Sequence, residues 1–182
     1  MSPGGTGIDT IVVVVDPQKG WLNQFTEPTL HALAEELNRG DHWRSVVVTQ
    51  FMNDEKSPFR TLMPWWKAFQ THSDTDLLQE FIQPRARVFT HDIYGFSPKL
   101  WSYCGRQGVK QMVLTGVETD ATIVKTAMDA FDRGISVWVP PHLLASTYGP
   151  LGQEHGLAIL KKVLGRDHIL NERETRELFA SI

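Results

Sequence analysis

Apolar and polar positions along this chain of 182 residues alternate between two rhythms. Residues 10–15, TIVVVV, are almost continuously apolar and β-branched, which predicts a strand buried on both faces. Residues 29–39 place Leu30, Leu33, Ala34 and Leu37 at helical spacing, with Gly40 available to end the helix. A second buried strand is predicted over 45–51, SVVVTQF. The stretch 53–75 breaks the rhythm. It is polar, broken by prolines, and carries Trp65 and Trp66. A loop of that length in a compact domain is usually functional or an interface element. Beyond it the pattern predicts a short helix over 76–82, a short strand over 87–90 and a helix over 98–107, with Pro98 in its first turn and Gly108 beyond it. A strand over 111–115, a helix over 120–133 closed by Gly134, and a strand over 135–139 stopped by Pro140 follow. The chain ends with a helix over 149–164, a short strand over 168–170 and a final helix capped by Asn171.

Strand and helix in repeated alternation predict an α/β fold: a three-layer α-β-α arrangement with a mostly parallel, doubly wound sheet of about six strands. One domain is expected over 9–182, with a disordered tail over 1–8. In such folds the ligand sits at the carboxyl ends of the strands. That rule singles out Asp16, Gln50 and Phe51, His91 and Asp92, the turn 116–122, and 140–142.

Composition narrows the function classes. The sequence is 41% hydrophobic and 21% charged, with a net charge of -3. Its basic residues are scattered, so neither nucleic acid nor a membrane surface is an expected partner. The longest apolar run, 11–15, is too short to span a bilayer, and the first residues show no secretory pattern. Cys104 is the single cysteine, which rules out an internal disulfide and suits a cytoplasmic location. The seven histidines form no i,i+4 pair, so no metal is expected. The only glycine-rich run precedes the first strand rather than following it, so no cofactor is expected.

Three residues at strand ends could carry chemistry. Asp16 follows five apolar residues; it is either a partly desolvated general base or the cap of the turn after it. His91 is either an acid–base group or, with Asp92, part of a polar loop. Thr122 stands in the first turn of a helix, where developing negative charge is stabilised, yet a threonine hydroxyl attacks only with a strong base beside it; otherwise it packs or bonds to backbone. Trp65 and Trp66 either wall a pocket for a flat substrate or lie at a subunit interface.

Taken together, these segments resemble the isochorismatase-like superfamily of cysteine hydrolases, which includes nicotinamidases, N-carbamoylsarcosine amidohydrolases and isochorismatases. VVVVDPQKGW is similar to the family's first strand ending in Asp-x-Gln-x-x-aromatic, matched by Asp16, Gln18 and Trp21. LTGVETDATIVKTAMDAFDRGISVWV resembles its Gly-Val-x-Thr-Asp-x-Cys segment, the helix and the next strand. VFTHDIYGF resembles the strand that carries the family lysine, and QFMNDEKSPF a loop containing Asn in some members. The likeness runs from about residue 11 to 170. It implies an Asp–Lys–Cys triad, a cis peptide at Val117–Glu118 shaping an oxyanion hole, and a homodimer or larger assembly. It departs twice. Thr122 occupies the cysteine position, and either Thr90 or His91 occupies the lysine position. The resemblance therefore implies a divergent hydrolase of a small amide or vinyl ether, with Asp16, His91 and Thr122 in the catalytic positions. Gln18, Trp21, Thr90, Tyr94, Val117, Glu118, Trp65 and Trp66 would contact substrate. The alternative is an inactive binding or scaffold protein on the same fold.

Overall fold

A computed structural model describes residues 9–40 and 42–182. The expected tail over 1–8 lies outside them. Six strands form one sheet: β1 (Thr10–Val15), β2 (Val46–Phe51), β3 (Arg87–His91), β4 (Gln111–Val117), β5 (Ser136–Trp138) and β6 (Leu144–Ala145). Their order is β3-β2-β1-β4-β5, with β6 on the far end of β4, and every strand pairing is parallel. The order reverses at β1, so the crevice above β1 and β4 is where such a sheet offers a binding site.

Because successive side chains in a strand point to opposite faces, TIVVVV supplies both layers at once. Ile11, Val13 and Val15 pack with Met112 and Leu114 against one set of helices. That set is α4 (Pro98–Gln107), α5 (Val124–Asp132) and α6 (Gly149–Leu164). Val12 and Val14 face the other way, with α1 (Glu27–Asn38) and Phe179 of α7 (Glu172–Ala180). Leu30, Leu33 and Leu37 are fully buried there. Each such side chain contributes about 1.5–3 kcal/mol relative to exposure. This is the three-layer arrangement that the alternating pattern predicts.

Differences from the pattern cluster where local signals were weak. The stretch 53–75 holds two short helices, α2 (Pro58–Leu62) and α3 (His72–Thr75). Ser57 caps the first through its hydroxyl. The helix expected over 76–82 reduces to a single 3-10 turn, Gln79–Phe81. The strand expected over 168–170 reduces to one bridge, Val139 with Ile169. The helix expected from 120 begins instead as a π-helical turn, Thr119–Ile123, ahead of α5. Among the described residues no helix is long and apolar enough to cross a membrane.

Candidate active site

Asp16 closes β1 with a φ of 50°, in the left-handed region that Asp tolerates better than most residues. Its carboxylate is not used as a cap for the turn that follows. Thr49 of β2 accepts a hydrogen bond from the Asp16 N–H at 3.1 Å and donates its hydroxyl to Asp16 Oδ1 at 2.6 Å. His91, the last residue of β3, places Nε2 2.8 Å from the same Oδ1. Its Nδ1 is 2.8 Å from the Ile93 carbonyl oxygen. A carbonyl only accepts, so Nδ1 carries a proton. A second proton on Nε2 then faces a carboxylate. Burial pulls the His91 imidazole down. The Asp16 charge, the hydrogen bonds to Asp16 and Ile93, and nearby Asp92 outweigh it and raise it above its ordinary value near 6.5. Both side chains of the pair are 1% exposed. Asp16 Oδ2 accepts no hydrogen bond from any described residue.

Across the crevice, the turn after β4 is held from several sides. The Val117–Glu118 peptide is cis, as the family likeness implies. Gly116 has a φ of 99°, and a Cβ there would collide with the backbone of Val15, so only glycine lets β4 lie this close to the end of β1. On α6, a Cβ at Gly156 would run into the Thr119 carbonyl, so the helix backbone itself packs on the turn. Thr119 Oγ1 donates to Gln153 Oε1 at 2.5 Å, and Gln153 Nε2 donates to the carbonyls of Pro141 and Leu144. Thr122 sits in this turn. It is buried, and its hydroxyl makes no hydrogen bond to any described residue.

Between the turn and the 53–75 segment lies a cavity of about 170 Å³ walled by Trp21, Phe51, Phe59, Trp66, Glu118 and Thr122. Tyr94 stands at its edge, half exposed, with its ring 4.8 Å from that of Phe59. Trp21 and Trp66 stack at 6.3 Å, and Phe69 supports Trp21 from behind at 4.2 Å. Glu118 is the one carboxyl in the wall. Its Oε1 accepts from the Thr147 N–H at 2.9 Å, while Oε2 has only a long 3.5 Å approach from the Ser146 hydroxyl. Burial pushes the Glu118 carboxyl up to about 7, with the neighbouring Asp120 charge adding to it and the hydrogen bonds to Thr147 and Ser146 opposing it.

The remaining candidates from the sequence separate. His91 points inward to Asp16, whereas Thr90, the previous residue on the edge strand, is exposed. Gln18 is fully buried and spends its amide on the backbone of Phe51 and Thr75. Val117 is buried in the core with α1. Trp65 is 73% exposed and turned away from the cavity, while its neighbour Trp66 forms a wall. Cys104 lies in the core among the helices, and burial pushes its thiol up to about 11. It is no nucleophile at neutral pH. Two contributors, Thr49 and Phe59, fall inside stretches that the sequence singles out, SVVVTQF and QFMNDEKSPF, but nothing local marks either as a site residue. Among the described residues no cluster of His, Cys, Asp or Glu could hold a metal ion.

Solved structures show the same fold. A cysteine hydrolase from Pseudomonas syringae pv. phaseolicola 1448A is similar with a TM-score of 0.79 at 16% identity, covering 95% of this chain and 93% of that one. A pyrazinamidase/nicotinamidase from Streptococcus mutans UA159 gives 0.74 at 20% identity, covering 89% and 99%. An isochorismatase-like hydrolase from Alkaliphilus metalliredigens gives 0.73 at 17% identity, covering 94% and 99%. No curated protein sequence matches. The profile of the isochorismatase domain matches residues 10–166, nearly the whole of the sheet and its helices, and the chain therefore belongs to the isochorismatase domain family.

Proposed function

We propose that this protein is a hydrolase of that family which acts on a small amide or vinyl-ether-type molecule by acid–base chemistry at Asp16, without a thiol nucleophile. The observation that carries this reading is the buried contact of 2.8 Å between His91 Nε2 and Asp16 Oδ1. An imidazolium there supplies the positive charge that the family likeness assigns to a lysine. Thr49 fixes the carboxylate through Oδ1, and Oδ2 is left to exchange a proton with water or substrate. Thr122, with a hydroxyl unclaimed by protein, orients that water or substrate at the cavity wall. Hydroxyl attack on an amide would need a base in contact with Thr122, and Thr122 has no such bond. Its role is positioning.

The test is turnover of a panel of small aromatic amides and vinyl ethers. Asp16→Asn should lower kcat/KM by about 10²- to 10⁴-fold, the usual worth of a positioned acid or base. Thr122→Ala should keep activity within about tenfold, since loss of a true nucleophile costs far more. Equal collapse in both variants would refute the assignment of roles.

One observation favours the second reading, a binding protein without turnover. Asp16 is 1% exposed and is not among the residues that wall the cavity; its partner His91 lies against Phe51. Ligand binding unaffected by Asp16→Asn, with no turnover of any panel member, would establish that reading instead. Assembly into a dimer or larger oligomer is part of the proposal, supported by the exposed apolar side chains of Leu62 and Trp65 in the 53–75 segment.

A further inference from the structure

The cavity beside the turn combines features that neutral-ligand recognition leaves unexplained. Its wall is largely aromatic, from Trp21, Trp66, Phe51 and Phe59, and its polar side chains are Glu118, Thr122 and, at the edge, the neutral Tyr94 phenol, whose hydroxyl lies 3.7 Å from Met63 Sδ. No lysine, arginine or histidine lines it. Among the described residues none sets a counter-charge against this carboxyl. The charged or titratable groups near Glu118 are of the wrong sign or out of reach. Asp120 on its own turn is an acid. Residues 146–147 offer only the Ser146 hydroxyl and the Thr147 N–H. Helix α6 presents neutral Gln153 to Thr119. His91 lies behind Phe51, its ring 5.5 Å from that ring, and is already paired with Asp16.

Electron-rich ring faces and a carboxylate attract the same kind of guest. Aromatic faces draw cations through their quadrupole, most strongly when water is excluded, and an unpaired carboxylate in low dielectric gains most from an opposite charge brought to it. We propose that this cavity recognises a small organic cation, an alkylated ammonium or protonated amine, with its charged head against Trp21 and Trp66 and Glu118 as its counter-ion. The inference deepens the hydrolase reading by naming its substrate class, and it rests on that reading for turnover but not for binding. The volume of about 170 Å³ suits a compact head group rather than a drug-sized molecule. Burial, with the Asp120 charge adding to it and no cation among the described residues to offset it, raises the Glu118 carboxyl. A cation in place would favour the ionised form, so binding releases a proton from Glu118 around neutral pH. With the cation bound, the negative charge beside the turn is neutralised, which removes its repulsion of an oxyanion forming there.

The test compares choline with its uncharged isostere 3,3-dimethylbutan-1-ol, titrated by intrinsic tryptophan fluorescence and calorimetry. Choline should bind about 10- to 30-fold more tightly at pH 8, the span that one desolvated cation–aromatic contact supplies. The preference should shrink as pH falls from 8 to 6 and Glu118 gains its proton. Glu118→Gln should erase the pH dependence and hold the preference at its low-pH value while leaving the isostere's affinity unchanged. Equal affinity for the two probes, no binding of either, or a preference untouched by Glu118→Gln would each overturn the proposal. The outcome is separable from that of the hydrolase reading. Cation binding without turnover of any substrate sinks the catalytic reading alone, and turnover of neutral amides with no cation preference sinks this one alone.

Discussion

Replacing Asp16 with asparagine tests the central pair most directly. In the native protein two opposing influences act on His91. Burial, the largest single one, disfavours the imidazolium, and Asp16 supplies most of what reverses it through its charge and its hydrogen bond. Asparagine keeps the shape and a hydrogen-bonding atom toward Thr49 but removes the charge. Burial then dominates, and His91 should titrate below 6.5 in Asp16→Asn and above it in the native protein. The stability sign follows. In the native protein the raised His91 contributes stability that is fully present below 6.5 and is lost as pH rises through its folded-state value. In the variant the unfolded chain binds the proton more readily, so stability falls as pH drops through 6.5. The gap between the two proteins therefore widens from pH 8 to pH 5. Its size follows from burial. Both partners are 1% exposed, so solvent screens little of the interaction. Breaking such a pair from one side costs about 3–5 kcal/mol, and the surviving Thr49 contact points to about 3. For a chain of this size that lowers Tm by roughly 6–12 °C. Long-range nitrogen–proton spectra of the seven histidines report the titration, and urea unfolding at pH 5 and pH 8 reports the gap. An unshifted His91 midpoint, or a gap that narrows toward pH 5, would refute the ion-pair assignment.

Other consequences are as direct. Because the Glu118 carboxyl is raised from 4.5 to about 7, the protein loses stability as pH rises across that window, so Glu118→Gln should be more stable at pH 8 by up to about 3 kcal/mol. The gain should vanish near pH 4, as read from chemical unfolding at both values. Gly116→Ala should cost about 3 kcal/mol or more, since it combines a clash with the Val15 backbone and a φ of 99°; thermal melting checks it. Cys104 should resist an aromatic disulfide reagent at pH 8 and react at once in denaturant. Trp65→Ser should weaken self-association measured by light scattering while leaving the melting temperature within about 2 °C, as expected for an exposed side chain.

Some of this protein is determined by local sequence alone. Five β-branched or aliphatic residues in a row can only be satisfied between two helical layers, so β1 and the layered fold follow from TIVVVV. The polar residue at the end of such a strand must emerge at the sheet edge, which marks Asp16. The glycine of the turn 116–122 is plain in the sequence, but that no other residue fits there follows from its φ of 99° and the nearness of the Val15 backbone. What local sequence left open was whether Thr90 or His91 faces Asp16. Adjacent residues of a strand point to opposite faces, and the parity is set by the pairing of β3 with β2, where His91 lies opposite Phe51. That register belongs to the sheet, not to the segment. The same holds for Thr49, brought to Asp16 from 33 residues away, and for the aromatic walls contributed by β2, the 53–75 segment and the turn before α1. Whether Glu118 stands in water or in an unpaired, aromatic cavity is decided only when those pieces meet, because a carboxyl's burial and its charge partners are properties of the assembled surroundings rather than of its neighbours in the chain.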